Sequence, residues 1–133
     1  MSNGPAKSER IDASLQECGE LISDPYEVSN LRREDYKAYK GKNEYEDILQ
    51  ISGAKSRSRG HQGPGAFLVM GSGLDKHGID SEKKLPYSHI DIAGSSGDYP
   101  GYPSARPLPS FFLKYILPRI WLKDLIWIIL MFY

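Results

Sequence analysis

Large apolar side chains are spread so unevenly along this chain that they limit what it can fold into. Of its Val, Ile, Leu, Met, Phe, Trp and Cys residues, twenty fall in the first 104 positions and 17 in the last 29. A body so poor in large apolar groups has little burial to set against its conformational entropy. Such a body is either partly disordered or completed by more protein. Its apolar residues are regularly patterned, which favours completion.

A length of 133 residues suits one domain and is short for two. Lys plus Arg and Asp plus Glu both number 17, so no global field argues for nucleic acid or an anionic membrane. The charge is uneven locally: residues 105–133 hold Arg106, Lys114, Arg119 and Lys123 against Asp124, a net of +3. The single cysteine, Cys18, rules out an internal disulfide and a thiolate cluster and fits a reducing compartment. The opening residues lack the apolar core of a secretory signal.

Ile11, Leu15, Cys18, Leu21 and Ile22 recur at helical spacing and predict an amphipathic helix over 8–22. Pro25 disfavours helix at Asp24 and opens a second, more polar helix over 25–40, with Gly41 expected as its C-cap. "DILQI" reads as a short strand or a turn of helix. Lys55, Arg57 and Arg59 then lie in a run of small residues. No aromatics interleave these charges as single-strand binding would favour, so a solvated connection is expected. "AFLVM" is a buried strand or a buried helix by periodicity alone. "YSHIDIAG" alternates, with Ile90 and Ile92 on one side and His89 and Asp91 on the other, and reads as the best strand. It empties into Gly94, Ser95, Ser96 and Gly97, a common way to build a pocket wall. "SARPLPSFFLKYIL" reads as a helix with prolines in its first turn, closed by Pro118.

The last nine residues, 125–133, are uninterrupted apolar. A spanning helix wants about 20 such residues. Extension back to Phe111 brings in Lys114, Pro118, Arg119, Lys123 and Asp124, each charge costing roughly 2.5–3.5 kcal/mol at a helix centre. A clean span is not expected. An interfacial anchor ranks above a span, and a non-native terminus without a selected role ranks above both.

Catalytic patterns are sparse. His89 and Asp91 share a strand face and could ligate one metal or pair, with His77 and Asp80 as further ligands. A hydrogen-bonded structural histidine is the favoured reading. Ser95 and Ser96 beside glycines do not form the G-x-S-x-G elbow. No Walker loop, H-E-x-x-H or dinucleotide fingerprint occurs.

At "YSHIDIAG" the sequence resembles the leucine aminopeptidase (cytosol aminopeptidase) family, whose C-terminal region carries a W/Y-A/S-H-L/I-D-I-A-G strand. Upstream, "GHQGPGAFLVMGSGLDKHG" is similar to the family's Gly/Ala-rich segment and following core helix. Downstream, Ser104, Ala105, Arg106 and Pro107 stand at the family's T-G-R-P motif, followed by its last helix. "QECGELISDPYEVSNLRREDYKAYKGKNEYEDILQ" is similar to the preceding variable stretch of the aminopeptidase-like branch. The resemblance covers roughly residues 8–117 and is strongest from 60 to 101.

The resemblance implies an incomplete α/β fold: residues 1–117 as the C-terminal portion of a three-layer catalytic domain on a mixed central sheet, and residues 118–133 as a hydrophobic extension without counterpart. It implies a cytoplasmic enzyme removing N-terminal amino acids from peptides with two divalent metal ions, zinc, manganese or magnesium, assembled as a hexamer. Such ion pairs activate the attacking water and stabilise the tetrahedral intermediate. The family's metal ligands, including its N-T-D-A-E-G-R signature, have no counterpart here, so catalysis by these residues alone is not expected. Carried over by position, Ala93 and Ser96, with Gly94 and Ser95 between, would line part of the side-chain specificity pocket. The alternatives are a non-catalytic binding or regulatory short form, docked on intact subunits or at a membrane surface through its tail, and a truncated gene product.

Overall fold

In a computed structural model of the chain, the described residues are 1–50, 60–95, 97–98 and 100–121. They form helices α1 (Gly4–Ser8), α2 (Ile11–Leu21), α3 (Arg33–Lys37), α4 (Gln62–Gly71) and α5 (Leu108–Phe111), with a 3₁₀ turn at Leu74–His77 and a π-helical turn at Phe112–Ile116. Among them, β-structure is limited to two isolated antiparallel bridges, Ser2 with Ser88 and Lys40 with Ile48. They divide into two compact units. One contains Met1–Asp12 and Val28–Asp91, the other Ala13–Glu27 and the described residues from Ile92 on.

In the first unit, Asn3 organises the entry of α1. Its side-chain oxygen caps the helix by accepting the Ala6 N–H at 3.1 Å and also accepts the Tyr87 N–H at 3.0 Å. Its amide donates to the Leu85 carbonyl at 2.8 Å. Residues 1–3 therefore run antiparallel beside 87–89, with the His89 N–H donating to the Met1 carbonyl at 2.7 Å. The expected strand is thus extended only at its start and gains a short pairing with the N-terminal residues. Beyond Ser88 the segment carries no further β-bridge among the described residues, and Ile92, expected on a buried side with Ile90, is 57% exposed.

α4 settles the "AFLVM" ambiguity as helix, with Gln62, Gly65, Ala66 and Val69 as its buried face. Their i, i+3, i+4, i+7 spacing is the helical core pattern. Tyr39, from the segment after α3, packs on Phe67 with ring centroids 5.6 Å apart.

The expected helix over 25–40 shrinks to Arg33–Lys37. Ser29 and Asn30 bond elsewhere, to His61 Nε2 at 2.8 Å and to Lys7, and such short polar side chains compete with helix. The Asp35 carboxylate accepts the Arg32 N–H at 2.7 Å and fixes the later start. Gly41 is not the C-cap, which is Ala38. Gly41 lies instead against the Glu46 backbone, where a Cβ would meet the carbonyl oxygen at 1.8 Å. The basic residues Lys55, Arg57 and Arg59 lie outside the described residues.

In the second unit, α2 ends in a left-handed turn at Ser23 (φ 58°), and the Asp24 N–H returns to the Gly19 carbonyl at 2.8 Å. Gln16 donates to the Tyr26 carbonyl at 3.2 Å. The closing helix begins at Leu108 with Pro109 in its first turn, as expected. It does not stop at Pro118: residues 117–121 remain helical. A proline cannot donate to the carbonyl four residues back, and its ring crowds that oxygen. The helix widens just upstream, where the Leu117 N–H reaches Phe112, a common way to pass such a residue.

Burial is thin. Ala6, Leu15, Ala66 and Val69 are the buried apolar residues among those described, while Leu21, Leu68, Ile79 and Leu85 are exposed.

Candidate functional site

Residues 92–95 of the second unit form a turn in which the Ser95 N–H and hydroxyl both donate to the Ile92 carbonyl, at 3.1 and 2.8 Å. Gly94 and Gly97 have φ of 75° and 79°, a left-handed backbone that glycine adopts without a Cβ penalty. The Gly97 N–H closes the next turn on the Gly94 carbonyl at 3.2 Å. Ala93 and Gly94 are exposed and Ser95 is half-buried. Ser96 lies outside the described residues.

This turn is tied to residues 104–107. The Ser104 hydroxyl donates to the Ser95 carbonyl, and the Ser95 hydroxyl lies 3.5 Å from the Arg106 carbonyl. The loop that follows the Tyr87–Ile92 motif and the Ser104–Pro107 segment therefore meet within the second unit. Ala105 is not among the residues with positive φ, so standing where the family has glycine costs it no left-handed strain.

Arg106 is anchored in turn. Its Nε lies 3.6 Å from Asp24 Oδ1 and its guanidinium donates to the Ser23 carbonyl at 3.3 Å. Asp24 is buried and its other oxygen takes the Ser110 hydroxyl at 2.6 Å. The Tyr26 hydroxyl donates to the Pro107 carbonyl at 3.3 Å, and burial is the main cause raising its pKa. Sequence reading passed over Asp24 as a helix-ending residue. The available signal was an acid before proline together with an arginine awaiting a partner.

As chemistry, this arrangement positions a loop rather than activating a nucleophile. The Ser95 hydroxyl is spent on a carbonyl, and no histidine occurs among the described residues of this unit. The three histidines belong to the first unit. His61 Nε2 bonds with Ser29; His77 Nδ1 donates to the Lys83 carbonyl at 2.8 Å. The His89 ring lies over Gly65, where a Cβ would be 3.6 Å from it, and its Nδ1 is 3.5 Å from the Tyr87 hydroxyl. Burial above all, then the N-terminal ammonium, pulls the His89 pKa below its usual 6.5, with Asp91 opposing. The structure does not bring His89, Asp91, His77 and Asp80 together: no group of three or more His, Cys, Asp or Glu that could hold a metal forms among the described residues. Nor is any helix among them long and apolar enough to cross a membrane.

Compared with known proteins, the chain is 38% identical over 122 residues to a Caenorhabditis elegans protein named "Putative aminopeptidase W07G4.4". The match covers 90% of this chain and 23% of that protein, so the chain spans under a quarter of its relative's length. No family model matches the chain, and no solved structure does.

Proposed function

We propose that this chain is the C-terminal part of a leucine-aminopeptidase-like catalytic domain, the three-layer α/β domain on a mixed sheet of a cytoplasmic, oligomeric metalloexopeptidase. The observation that carries this reading is the 38% identity along 90% of the chain to a protein named as an aminopeptidase. The family motif at Tyr87–Gly94 and the Ser104–Pro107 segment add the finer assignment. The thin core and the exposed Leu68, Ile79 and Leu85 support completion by more protein.

Within that enzyme, Ala93, Gly94 and Ser95, with Ser96 next in sequence, would border the substrate side-chain pocket. The small Ala93 leaves room, and Ser104 and Arg106 hold the turn in place through backbone carbonyls. The family reading brings two divalent ions, zinc, manganese or magnesium, but the described residues gather no ligand set that fits them. No step through a metal is assigned to this chain, which is inactive alone on this reading.

The test is hydrolysis of leucyl and alanyl chromogenic amides. The purified 133-residue chain should release no product with zinc, manganese or magnesium. An immunoprecipitate raised against it from its source cells should release product in a chelator-sensitive manner. Metal-dependent turnover by the short chain would overturn the assignment of inactivity, and an inactive immunoprecipitate would overturn the enzyme reading.

A further inference from the structure

The turn at 92–95 is shaped by its own bonds, but it is also tied to residues 104–107, and that segment is gripped by one acid. Asp24 is 4% exposed, and a buried carboxylate must be matched by charge or by donors. Its Oδ1 faces Arg106 Nε at 3.6 Å. Its Oδ2 accepts the Ser110 hydroxyl at 2.6 Å and the Ser110 N–H at 3.3 Å. These partners lie on either side of residues 107–109, so a single carboxylate holds the chain before and after them. Asp24 is itself fixed, because its N–H returns to the Gly19 carbonyl at the end of α2, at 2.8 Å. The Arg106 side chain is half exposed, and a long side chain at the surface keeps one geometry only where an anchor offsets its rotamer entropy.

We propose that Asp24 is a positioning residue for the substrate side-chain pocket: it touches no substrate, and through Arg106 and Ser104 it sets where Ala93 and Ser95 stand. The relay is short. Ser104 donates to the Ser95 carbonyl, and the Ser95 hydroxyl lies 3.5 Å from the Arg106 carbonyl. Every residue in it belongs to the second unit. The inference rests on the reading of the turn as a pocket border, and it divides substrates by size. A leucyl side chain fills such a pocket and reaches its wall, whereas an alanyl side chain stops short of it. Displacing the wall therefore weakens leucyl binding and leaves alanyl turnover unchanged. The chemical step is untouched for both.

The protein expressed from its complete reading frame tests this with Asp24→Asn, which keeps an oxygen for Ser110 and removes the charge that holds Arg106. KM for a leucyl amide should rise roughly three- to tenfold, with kcat and the alanyl constants unchanged. Hydrogen exchange at the Ser95 and Gly97 amides should quicken. Ser104→Ala, at an exposed position, cuts the relay at its other end. It should reproduce the leucyl shift and leave exchange at Ser110 unchanged. The double variant should shift KM no further than the larger single effect, because both substitutions act through one tie. An equal loss on both substrates, or a fall in kcat, would make Asp24 a purely structural residue and overturn the proposal. Unaltered exchange at Ser95 and Gly97 would overturn it whatever the protein hydrolyses. Quickened exchange in a protein whose wild type hydrolyses neither amide would instead overturn the aminopeptidase reading, and the pocket role with it.

Discussion

The buried Asp24 carboxylate accepts both the Ser110 hydroxyl, at 2.6 Å, and the Ser110 backbone N–H, at 3.3 Å. Ser110 lies in the first turn of α5, whose N-cap position is Pro107 and has no side-chain cap. An acid 86 positions away thus serves as the cap that the local sequence does not supply. Removing that carboxylate takes the acceptor from the Ser110 N–H and leaves Arg106 and the Ser110 hydroxyl only their backbone-carbonyl contacts, at Ser23 and Asp24. Asp24→Ala should speed amide exchange at Ser110 by roughly ten- to a hundredfold, as expected for about 1–3 kcal/mol. Ser110→Ala, which keeps the backbone contact and the Arg106 pair, should have a smaller effect. Hydrogen-exchange mass spectrometry over residues 108–117 would measure both.

Two glycine substitutions should part ways. At Gly19 a Cβ would lie 2.3 Å from the Asp24 carbonyl oxygen, so backbone must move. At Gly65 it would lie 3.5 Å from Leu31, in ordinary contact. Gly19→Ala should cost about 1–3 kcal/mol, read as increased protease cleavage between α2 and Tyr26. Gly65→Ala should be neutral or stabilising by up to about 1 kcal/mol through helix propensity.

The His89 pKa is depressed mainly by burial, so the folded state binds fewer protons than the unfolded state near and below pH 6.5. The stability contributed by neutral His89 is present above that value and is lost as pH falls through the depressed one. Protection of the paired residues 1–3 and 87–89 should therefore drop on acidification. His89→Gln, which has no charge to acquire, should flatten that dependence. Proteolysis or amide exchange over pH 5–7.5, a range around the histidine value, would show the difference.

With so few apolar residues buried, the isolated chain should unfold without a sharp transition, because a small core gives little cooperativity. Circular dichroism on heating should show a broad, shallow loss of helix. A steep sigmoidal transition would contradict the incomplete-domain account.

Helices marked by apolar periodicity or by proline placement were legible in the sequence. Ile11, Leu15, Cys18, Leu21 and Ile22 marked α2 over Ile11–Leu21, although of these only Leu15 is buried and Leu21 and Ile22 are exposed. The early prolines marked the start of the closing helix. Elements fixed by distant partners were not. The Asp24 carboxylate, the Asn3 side chain and the residue 1–3 pairing with 87–89 all join positions more than 80 apart, and no local pattern announces them. The helix over 25–40 was over-read because Ser29 and Asn30 find bonding partners elsewhere, and the helix end at Pro118 because a widened turn carries the chain past it. At the site, the segments around Ala93 and Arg106 were recognisable by resemblance, but the hydrogen bonds joining Ser95 to Ser104 and Arg106 were not.

The most direct test of the account is transcript sequencing across both ends of this reading frame. The account predicts a message that continues upstream through a segment encoding N-T-D-A-E-G-R, within a coding length several times that of this chain. A message that begins at Met1 and ends at Tyr133 would contradict it and leave the short chain without an aminopeptidase role.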